Sequence, residues 1–343
     1  MVDWPGLLKW SLQFQDETRS SDNIKPMSEE DKKWLAEALE SYSFDDIKRI
    51  KQILSELREG ESKLRSEEEE KGEEKQDEGI KEGNLEEESK ESKVSVSDGS
   101  KRVLLLEELL DITEQTANSS DFIKLGGLNV ILNEMFNCKI AEVRLLAGQI
   151  FSSLVQNNPE AQECGFNNGA NQIADLFALE TLIPNKEQAL SSLSSFLRGQ
   201  NVPAKNEFLN NKGLQFVFNI LENEECTIRM KNKCLSILND LLFYHDKIEG
   251  SHRLFFHSFL KENQIQKYLL SVLSMTDRKY QMMRELSLYC LDLVKKNFYS
   301  DFIEELKDEI EKHMKVLEKL IKEGGAAHEL FQSELDSLKN LLI

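Results

Sequence analysis

The sequence predicts an all-α protein in which a solenoid of about four helical repeats follows an N-terminal helical arm. Apolar residues recur at helical spacing throughout 101–343, and no stretch sustains the alternation typical of a strand. A glycine that ends a short helix recurs at Gly127, Gly169 and Gly213, spaced by 42 and then 44 residues. Two further helical patterns follow each glycine, so one repeat contains three helices.

Units of this length with three helices are typical of armadillo repeats. We expect each repeating glycine to adopt the left-handed conformation that closes the preceding short helix. The final patterns, 303–321 and 329–342, predict two helices that cap the last repeat. The third helix of each repeat is predicted within 143–159, 187–201, 231–245 and 283–297.

The first block, 1–58, is predicted to be an arm that contains all three tryptophans, followed by a pair of helices. The arm places Trp4, Leu7, Leu8 and Leu12 at helical spacing. The first helix of the pair begins after Ser28 and contains Trp34, and the second begins after Ser43. Its apolar stripe consists of Ile47, Ile50, Leu54 and Leu57.

The block 59–100 is predicted to be a disordered acidic linker. It contains long runs of glutamate, five glycines and almost no apolar side chains, so it has little surface to bury. A single solvated helix is the alternative, which the glycines disfavour. The third block, 101–343, is the predicted armadillo domain with its C-terminal capping helices.

The charge of the chain limits the classes of partner. There are 62 acidic and 43 basic residues, with a formal net charge of -19. A nucleic-acid binder needs a basic face, so we expect no nucleic-acid partner. An anionic membrane surface is disfavoured for the same reason, whereas a protein with a basic surface is permitted.

The five cysteines are widely spaced and are predicted to be reduced, mostly buried thiols. We find no secretory signal pattern in this sequence and expect a cytoplasmic protein. The endoplasmic reticulum lumen is the alternative if a signal peptide is missing from this chain.

No catalytic constellation stands out in the sequence. His245, His252 and His257 lie close together, but His252 and His257 lack the i,i+4 spacing that places two metal ligands on one helix face. We interpret them as surface or interface histidines. The sequence therefore predicts no enzyme, no cofactor and no metal site.

The inner groove of a solenoid is lined by its third helices. Aligning these helices on Ala147, Ala189, Cys234 and Leu286 predicts groove positions two and six residues later: Gln149, Ser153, Ser191, Ser195, Ser236, Asp240, Leu288 and Asp292. The same alignment predicts buried positions at Ile150, Leu154, Ser192, Phe196, Ile237, Leu241, Tyr289 and Leu293. Simple solvent exposure is the alternative for each groove residue. The tryptophan and asparagine ladder of peptide-binding armadillo proteins is absent, which disfavours a reader of extended peptides.

Several motifs carry a resemblance to a known family. The opening WPGLLKWSL and the following MSEEDKKWLAEAL, joined to armadillo units, resemble the armadillo-type nucleotide exchange factors of the seventy-kilodalton heat-shock chaperones. The opening looks most like the cytosolic Fes-type branch. LNDLLFYH and the tail ELFQSELDSLKNLL look closer to the lumenal Sil-type branch.

The resemblance implies a function without a catalytic residue. In this family the groove clasps lobe II of the chaperone's ATPase domain and opens the nucleotide cleft, so that ADP leaves. A monomer is expected. The resemblance also implies that Trp4, Leu7, Leu8 and Trp10 enter the client-binding cleft of the chaperone, although packing onto the chain's own helices is the alternative for them.

Two further expectations depend on these assignments. An armadillo scaffold or adaptor without exchange activity is the alternative function. Changing Asp240 and Asp292 together to lysine is expected to weaken partner binding without unfolding the domain.

Overall fold

A computed structural model of the chain describes residues 30, 32–33, 46–74, 85–114, 116–298, 306–323 and 328–342. These residues contain sixteen α-helices with described bounds and no strand, which confirms the predicted all-α class. The helices are α1 Asp46–Glu74, α2 Leu85–Thr113, α3 Thr116–Lys124, α4 Gly127–Asn137, α5 Ala141–Val155, α6 Pro159–Asn167, α7 Ile173–Leu179, α8 Ile183–Leu197, α9 Val202–Asn210, α10 Gly213–Glu222, α11 Ile228–Phe243, α12 Gly250–Glu262, α13 Ile265–Leu273, α14 Gln281–Phe298, α15 Lys307–Glu323 and α16 His328–Leu342. None of the described helices is long and apolar enough to cross a membrane.

The helices form four repeats of three, as the sequence predicts. The repeats are α3–α5, α6–α8, α9–α11 and α12–α14, and their third helices are α5, α8, α11 and α14. Each third helix packs against the next one, which builds a solenoid. Helix α2 packs against α5 at the N-terminal end, and α16 packs against α14 at the C-terminal end. Helices α15 and α16 pack on each other and cap the last repeat, as predicted.

The predicted left-handed conformation is wrong for two of the three repeating glycines. Gly169 has a positive φ of 89°, but the left-handed residues of the first and third repeats are Gly126 (φ 71°) and Lys212 (φ 60°). Gly127 and Gly213 are instead the first residues of α4 and α10. They are glycines because the preceding helix passes very close.

Steric contact explains both positions. A Cβ atom at Gly127 would lie 2.4 Å from the ring of Phe122, and one at Gly213 would lie 2.4 Å from the ring of Phe208. The Cβ at Gly213 would also lie 2.5 Å from the carbonyl oxygen of Phe208, and a backbone atom cannot rotate away. The absence of a side chain therefore lets the first and second helices of a repeat pack closely.

We expect Gly213→Ala to lower the free energy of unfolding by about 2–3 kcal/mol, as overpacking does. Gly250→Ala is a matched control, since Gly250 also begins a helix but its nearest neighbour to a new Cβ is 3.8 Å away. Urea denaturation followed by circular dichroism measures both changes. Equal stability of the two variants would contradict the steric explanation.

Helix α1 packs onto the repeats. Ile50, Ile53, Leu54 and Leu57 are buried in the same apolar core as the armadillo helices, and α1 contacts α2, α3 and α4. Three residues of the predicted stripe, Ile50, Leu54 and Leu57, therefore seal the first repeat, whereas Ile47 is 40% exposed. Trp34 lies outside the described residues.

Helix is present in much of the segment 59–100. Helix α1 continues to Glu74 and α2 begins at Leu85, so the prediction of a disordered linker is not confirmed. Residues 75–84 lie outside the described part of the chain. The division of the chain at residues 58 and 100 stays a prediction, although α1 and α2 each cross one of these boundaries.

Candidate functional site

The third helices present a shared face, which we call the third-helix face: the partly exposed sides of α5, α8, α11 and α14. Five predicted groove residues are half-buried on it: Gln149, Ser153, Ser191, Ser195 and Ser236. Third helices line the inner groove of solenoids of this type. These five positions stay predictions as partner contacts.

Small polar residues join the first two third helices. The hydroxyl of Ser192 donates to the carbonyl oxygen of Gly148 at 3.0 Å, and its oxygen lies 3.0 Å from that of Ser152. The amide of Gln188 donates to Ser152 at 2.9 Å. These contacts cross between α5 and α8, so this part of the face is held in place before any partner binds.

The predicted register of α14 is wrong by one residue. Tyr289, which the alignment on Leu286 places in the core, has 45% of its surface exposed, whereas Ser287 is fully buried. The residue of α14 that corresponds to Cys234 is therefore Ser287. A small polar residue at this core position gives no apolar signal, so the alignment selected its neighbour. The other predicted core positions are buried, including Ile150, Phe196 and Leu241.

The two predicted groove residues of α14 line a cavity of about 460 Å³ between α14 and α16, together with Tyr289. Leu288 is half-buried there. The carboxylate of Asp292 forms a salt bridge of 2.5 Å with Lys296 on the same helix.

Asp240 pairs with a buried lysine, so it is not a free carboxylate of the groove. The Nζ atom of Lys205 lies 3.7 Å from Oδ2 of Asp240, and the Lys205 side chain is fully buried. Lys205 also donates to the carbonyl oxygens of Leu197 and Gly199, and lies 4.9 Å from the ring centre of Tyr244. Replacing Asp240 by lysine would bring two cations together at this site. The expectation that the Asp240 and Asp292 exchange leaves the fold intact is therefore corrected for Asp240.

Burial changes the protonation of this pair. Desolvation lowers the pKa of Lys205 from 10.5 to about 8, an effect that the charge of Asp240 opposes. Desolvation also raises the pKa of Asp240, against the favourable charge of Lys205. The contact joins α9 to α11, although burial opposes the ionised form of both partners.

We expect Lys205 to make stability rise with pH between about 8 and 10.5. In this window the unfolded chain keeps the Lys205 proton that the folded chain has lost, so each increase in pH favours the folded state. The contribution is at most about 3 kcal/mol. Urea denaturation of the wild type and of Lys205→Met at several pH values measures this contribution. The comparison separates it from the titration of the thiols and tyrosines, which both proteins share. The same pH slope in both proteins would contradict the assignment.

A cluster of three cations lies where α8 meets α11, and we call Arg198, Arg229 and Lys233 the basic cluster. Burial lowers the pKa of Lys233, and the nearby charges of Arg198 and Arg229 lower it further. Nη1 of Arg229 lies 3.5 Å from a carboxylate oxygen of Glu187. Among the described residues, none forms a hydrogen bond or ion pair with the Lys233 side chain. Burial and like charges both disfavour the charged form of Lys233, so a carboxylate that approaches it would be favourable.

Sequence reasoning missed the basic cluster. Lys233 immediately precedes the anchor Cys234, and Arg198 follows the last residue of α8, so neither occupies a position two or six residues after an anchor. The third helices also carry other basic residues, among them Arg144, Lys186 and Arg284, so composition alone did not single out these three.

The histidines lie between neighbouring helices. Nε2 of His252 lies 2.7 Å from Oδ1 of Asn210 in α9, and the ring of His257 is centred 5.3 Å from that of Phe298. His245 packs against Phe298 at 4.7 Å, and burial lowers its pKa. These contacts agree with interface histidines.

All five cysteines are free thiols, with Cys234 and Cys290 buried and the other three half-buried. Burial raises the pKa of every one of them, so their thiolate forms are disfavoured. The arm residues Trp4, Leu7, Leu8 and Trp10 lie outside the described residues.

Comparisons with solved structures agree with the fold. A computationally designed armadillo repeat protein superposes with a TM-score of 0.52 at 13% identity, over 69% of this chain and 91% of that chain. A designed armadillo repeat protein in complex with the peptide (KR)4 gives 0.51 at 13% identity, over 70% and 92%. At this identity the likeness shows the architecture alone.

Curated relatives are nucleotide exchange factor Sil1 of Drosophila melanogaster, 28% identical over 40% of this chain and 32% of the relative, and Hsp70-binding protein 1 of Mus musculus, 23% identical over 66% and 57%. The chain therefore spans between about a third and somewhat over half of these relatives. A family model described as the SIL1/FES1/HPBP1 C-terminal domain matches residues 118–341. Because that match covers all four repeats and both capping helices, the chain belongs to the SIL1/FES1/HPBP1 family.

Proposed function

We propose that this chain is a co-chaperone that binds the ATPase domain of a seventy-kilodalton heat-shock chaperone and accelerates ADP release. The observation that carries the proposal is the family match over 118–341. Two names among the relatives support it, since one is a nucleotide exchange factor and the other an Hsp70-binding protein. The proposed activity needs no catalytic residue in this chain.

Exchange of this kind follows from binding linkage. If the third-helix face binds the open, nucleotide-free form of the ATPase domain more tightly than the ADP-bound form, ADP affinity falls by the same factor. A rigid solenoid suits this task because it can hold one lobe of the partner in a new position. We propose that lobe II is the one bound.

The basic cluster is the best candidate for the central contact. Its cations would be neutralised by carboxylates of the partner, which would relieve the repulsion at Lys233. Glutamates and aspartates are in excess elsewhere on this chain, so an acidic partner surface would be repelled from most other positions. The cluster would therefore help to align the two proteins.

The proposal is tested by stopped-flow release of a fluorescent ADP analogue from a cytosolic heat-shock chaperone. We expect the full chain to accelerate release at least about tenfold at saturation. Unchanged release at saturating protein would overturn the proposal. A pull-down that lacks the chaperone but contains another specific protein would then favour a scaffold or adaptor.

The N-terminal arm is proposed to act on client release rather than on exchange. The variant in which Trp4, Leu7, Leu8 and Trp10 become alanine should still accelerate ADP release but should displace a labelled client peptide more slowly. Equal displacement by the wild type and this variant would favour packing of the arm on its own domain. A lower free energy of unfolding in the variant would also favour packing of the arm on its own domain.

A monomer in the cytoplasm is the proposed state of the chain. The five free thiols fit a reducing compartment. Light scattering tests the oligomeric state, and imaging of a tagged full-length protein distinguishes the cytoplasm from the endoplasmic reticulum lumen.

A further inference from the structure

The third-helix face ends in a cavity between α14 and α16, which we call the C-terminal pocket. Its volume is about 460 Å³, and its apolar walls are Leu288, Tyr289 and Leu341. The carboxylates of Glu285 and Asp292 lie beside these residues. The pocket reaches the third-helix face at Tyr289, which lies two residues after the corrected anchor Ser287.

Buried charges at the base of the pocket are already compensated. Nε of Arg284 lies 3.2 Å from Oε2 of Glu334, and both side chains are nearly fully buried. His313 lies 3.4 Å from the other carboxylate oxygen, while Nη1 of Arg284 donates to the carbonyl oxygen of Met275 at 2.6 Å. The base is therefore rigid, and its arginine and glutamate charges cancel.

The walls carry negative charge that a ligand can reach. Glu285 is exposed, and its carboxylate accepts a hydrogen bond of 2.9 Å from the neutral amide of Gln281. Asp292 pairs with Lys296, but the lysine side chain is 63% exposed, so water and a competing cation can replace this contact. Of the two carboxylates on the pocket wall, Glu285 is thus the one with no cationic partner among the described residues.

Tyr289 supplies the third feature. It follows Glu285 by four residues, so both side chains lie on one face of α14, and 45% of the tyrosine is exposed. A carboxylate beside an aromatic ring and apolar walls matches a cationic side chain with an aliphatic stem. The carboxylate binds the charged head, while the ring and leucines contact the stem.

We propose that the C-terminal pocket binds an arginine or lysine side chain of the protein that docks on the third-helix face. The identity of that protein rests on the proposed function. Together with the basic cluster on α8 and α11, the pocket gives the face opposite charges at two places. A partner must therefore present carboxylates and a cation in the matching order, which fixes its orientation.

Calorimetric titration of the chaperone's ATPase domain into the full chain tests the pocket. We expect Glu285→Lys to weaken binding at least about tenfold. Glu318→Lys is the matched control, since it makes the same charge change at an exposed residue of α15 outside the pocket. Tyr289→Phe should bind like the wild type, whereas Tyr289→Leu should bind about fivefold more weakly because it lacks the aromatic face.

The outcomes separate the two proposals. Tight binding by the wild type with equal affinities for Glu285→Lys and Glu318→Lys would overturn the pocket and leave the proposed function intact. Absence of binding by the wild type would overturn the proposed function. The pocket would then be tested with a labelled hexa-arginine peptide on the same two variants, whose net charges are equal. Equal affinities of Glu285→Lys and Glu318→Lys for the peptide would also overturn the proposed pocket.

Discussion

Replacing Arg198 and Lys233 together by glutamate is expected to weaken binding to the chaperone's ATPase domain more than about 100-fold and to abolish accelerated ADP release. Each buried interfacial charge pair that loses a partner costs about 2–5 kcal/mol, and here each new glutamate would also repel the partner's carboxylate. The fold should persist, because Arg198 is exposed and Lys233 is only half-buried, and the remaining cation Arg229 lies close enough to compensate the new carboxylates.

Calorimetry and stopped-flow ADP release measure the two effects, and circular dichroism checks the fold. The control is Lys261→Glu with Lys267→Glu, which makes the same charge change at exposed residues of α12 and α13. If both double variants lose affinity to the same extent, then net charge rather than the basic cluster governs binding. If both bind like the wild type, the contact lies elsewhere.

The repeat architecture was predictable because it depends on local periodicity. Helices α5, α8 and α11 have an apolar residue or cysteine at nearly every core position, so their faces could be assigned from the sequence. Ser192 is an exception that alignment with its neighbours resolved. In α14 the buried Ser287 and the exposed Tyr289 reverse the usual preferences, and the register was therefore wrong by one residue.

The N-terminal helix shows a different limit of sequence reasoning. The stripe of Ile50, Leu54 and Leu57 was recognised as helical, but its partner could not be. The acidic segment that follows separates it from the repeats in the sequence, although in space it packs on α2, α3 and α4. Periodicity shows which face of a helix is buried and not which surface covers it.

The charged residues of the candidate site depend on packing between distant residues. Lys205 reads as an ordinary helical lysine in VPAKNEF, yet it is fully buried and meets Asp240, which lies 35 residues later. The cations of the basic cluster come from two different repeats. No sequence spacing identifies such pairs, because the distance between them is set by how α8, α9 and α11 stack.

The last prediction concerns the seal between α2 and the first repeat. Nη1 of Arg102 in α2 donates to both carboxylate oxygens of Glu134 in α4 at 2.9 Å. Only 6% of the arginine side chain and 1% of the glutamate side chain are exposed. We expect Glu134→Gln to lower the free energy of unfolding by about 3–5 kcal/mol, because it removes the buried carboxylate that accepts both of these hydrogen bonds from the guanidinium.

Glu108→Gln provides the matched comparison. It removes the carboxylate from the Arg49–Glu108 pair, which also joins α2 to a neighbouring helix but has side chains 29% and 37% exposed. Solvent compensates such a pair, so we expect a loss of less than about 1 kcal/mol. Urea denaturation of both variants decides the point. Similar losses would mean that burial does not set the strength of these pairs, whereas the expected difference would assign the N-terminal seal of the solenoid to Arg102 and Glu134.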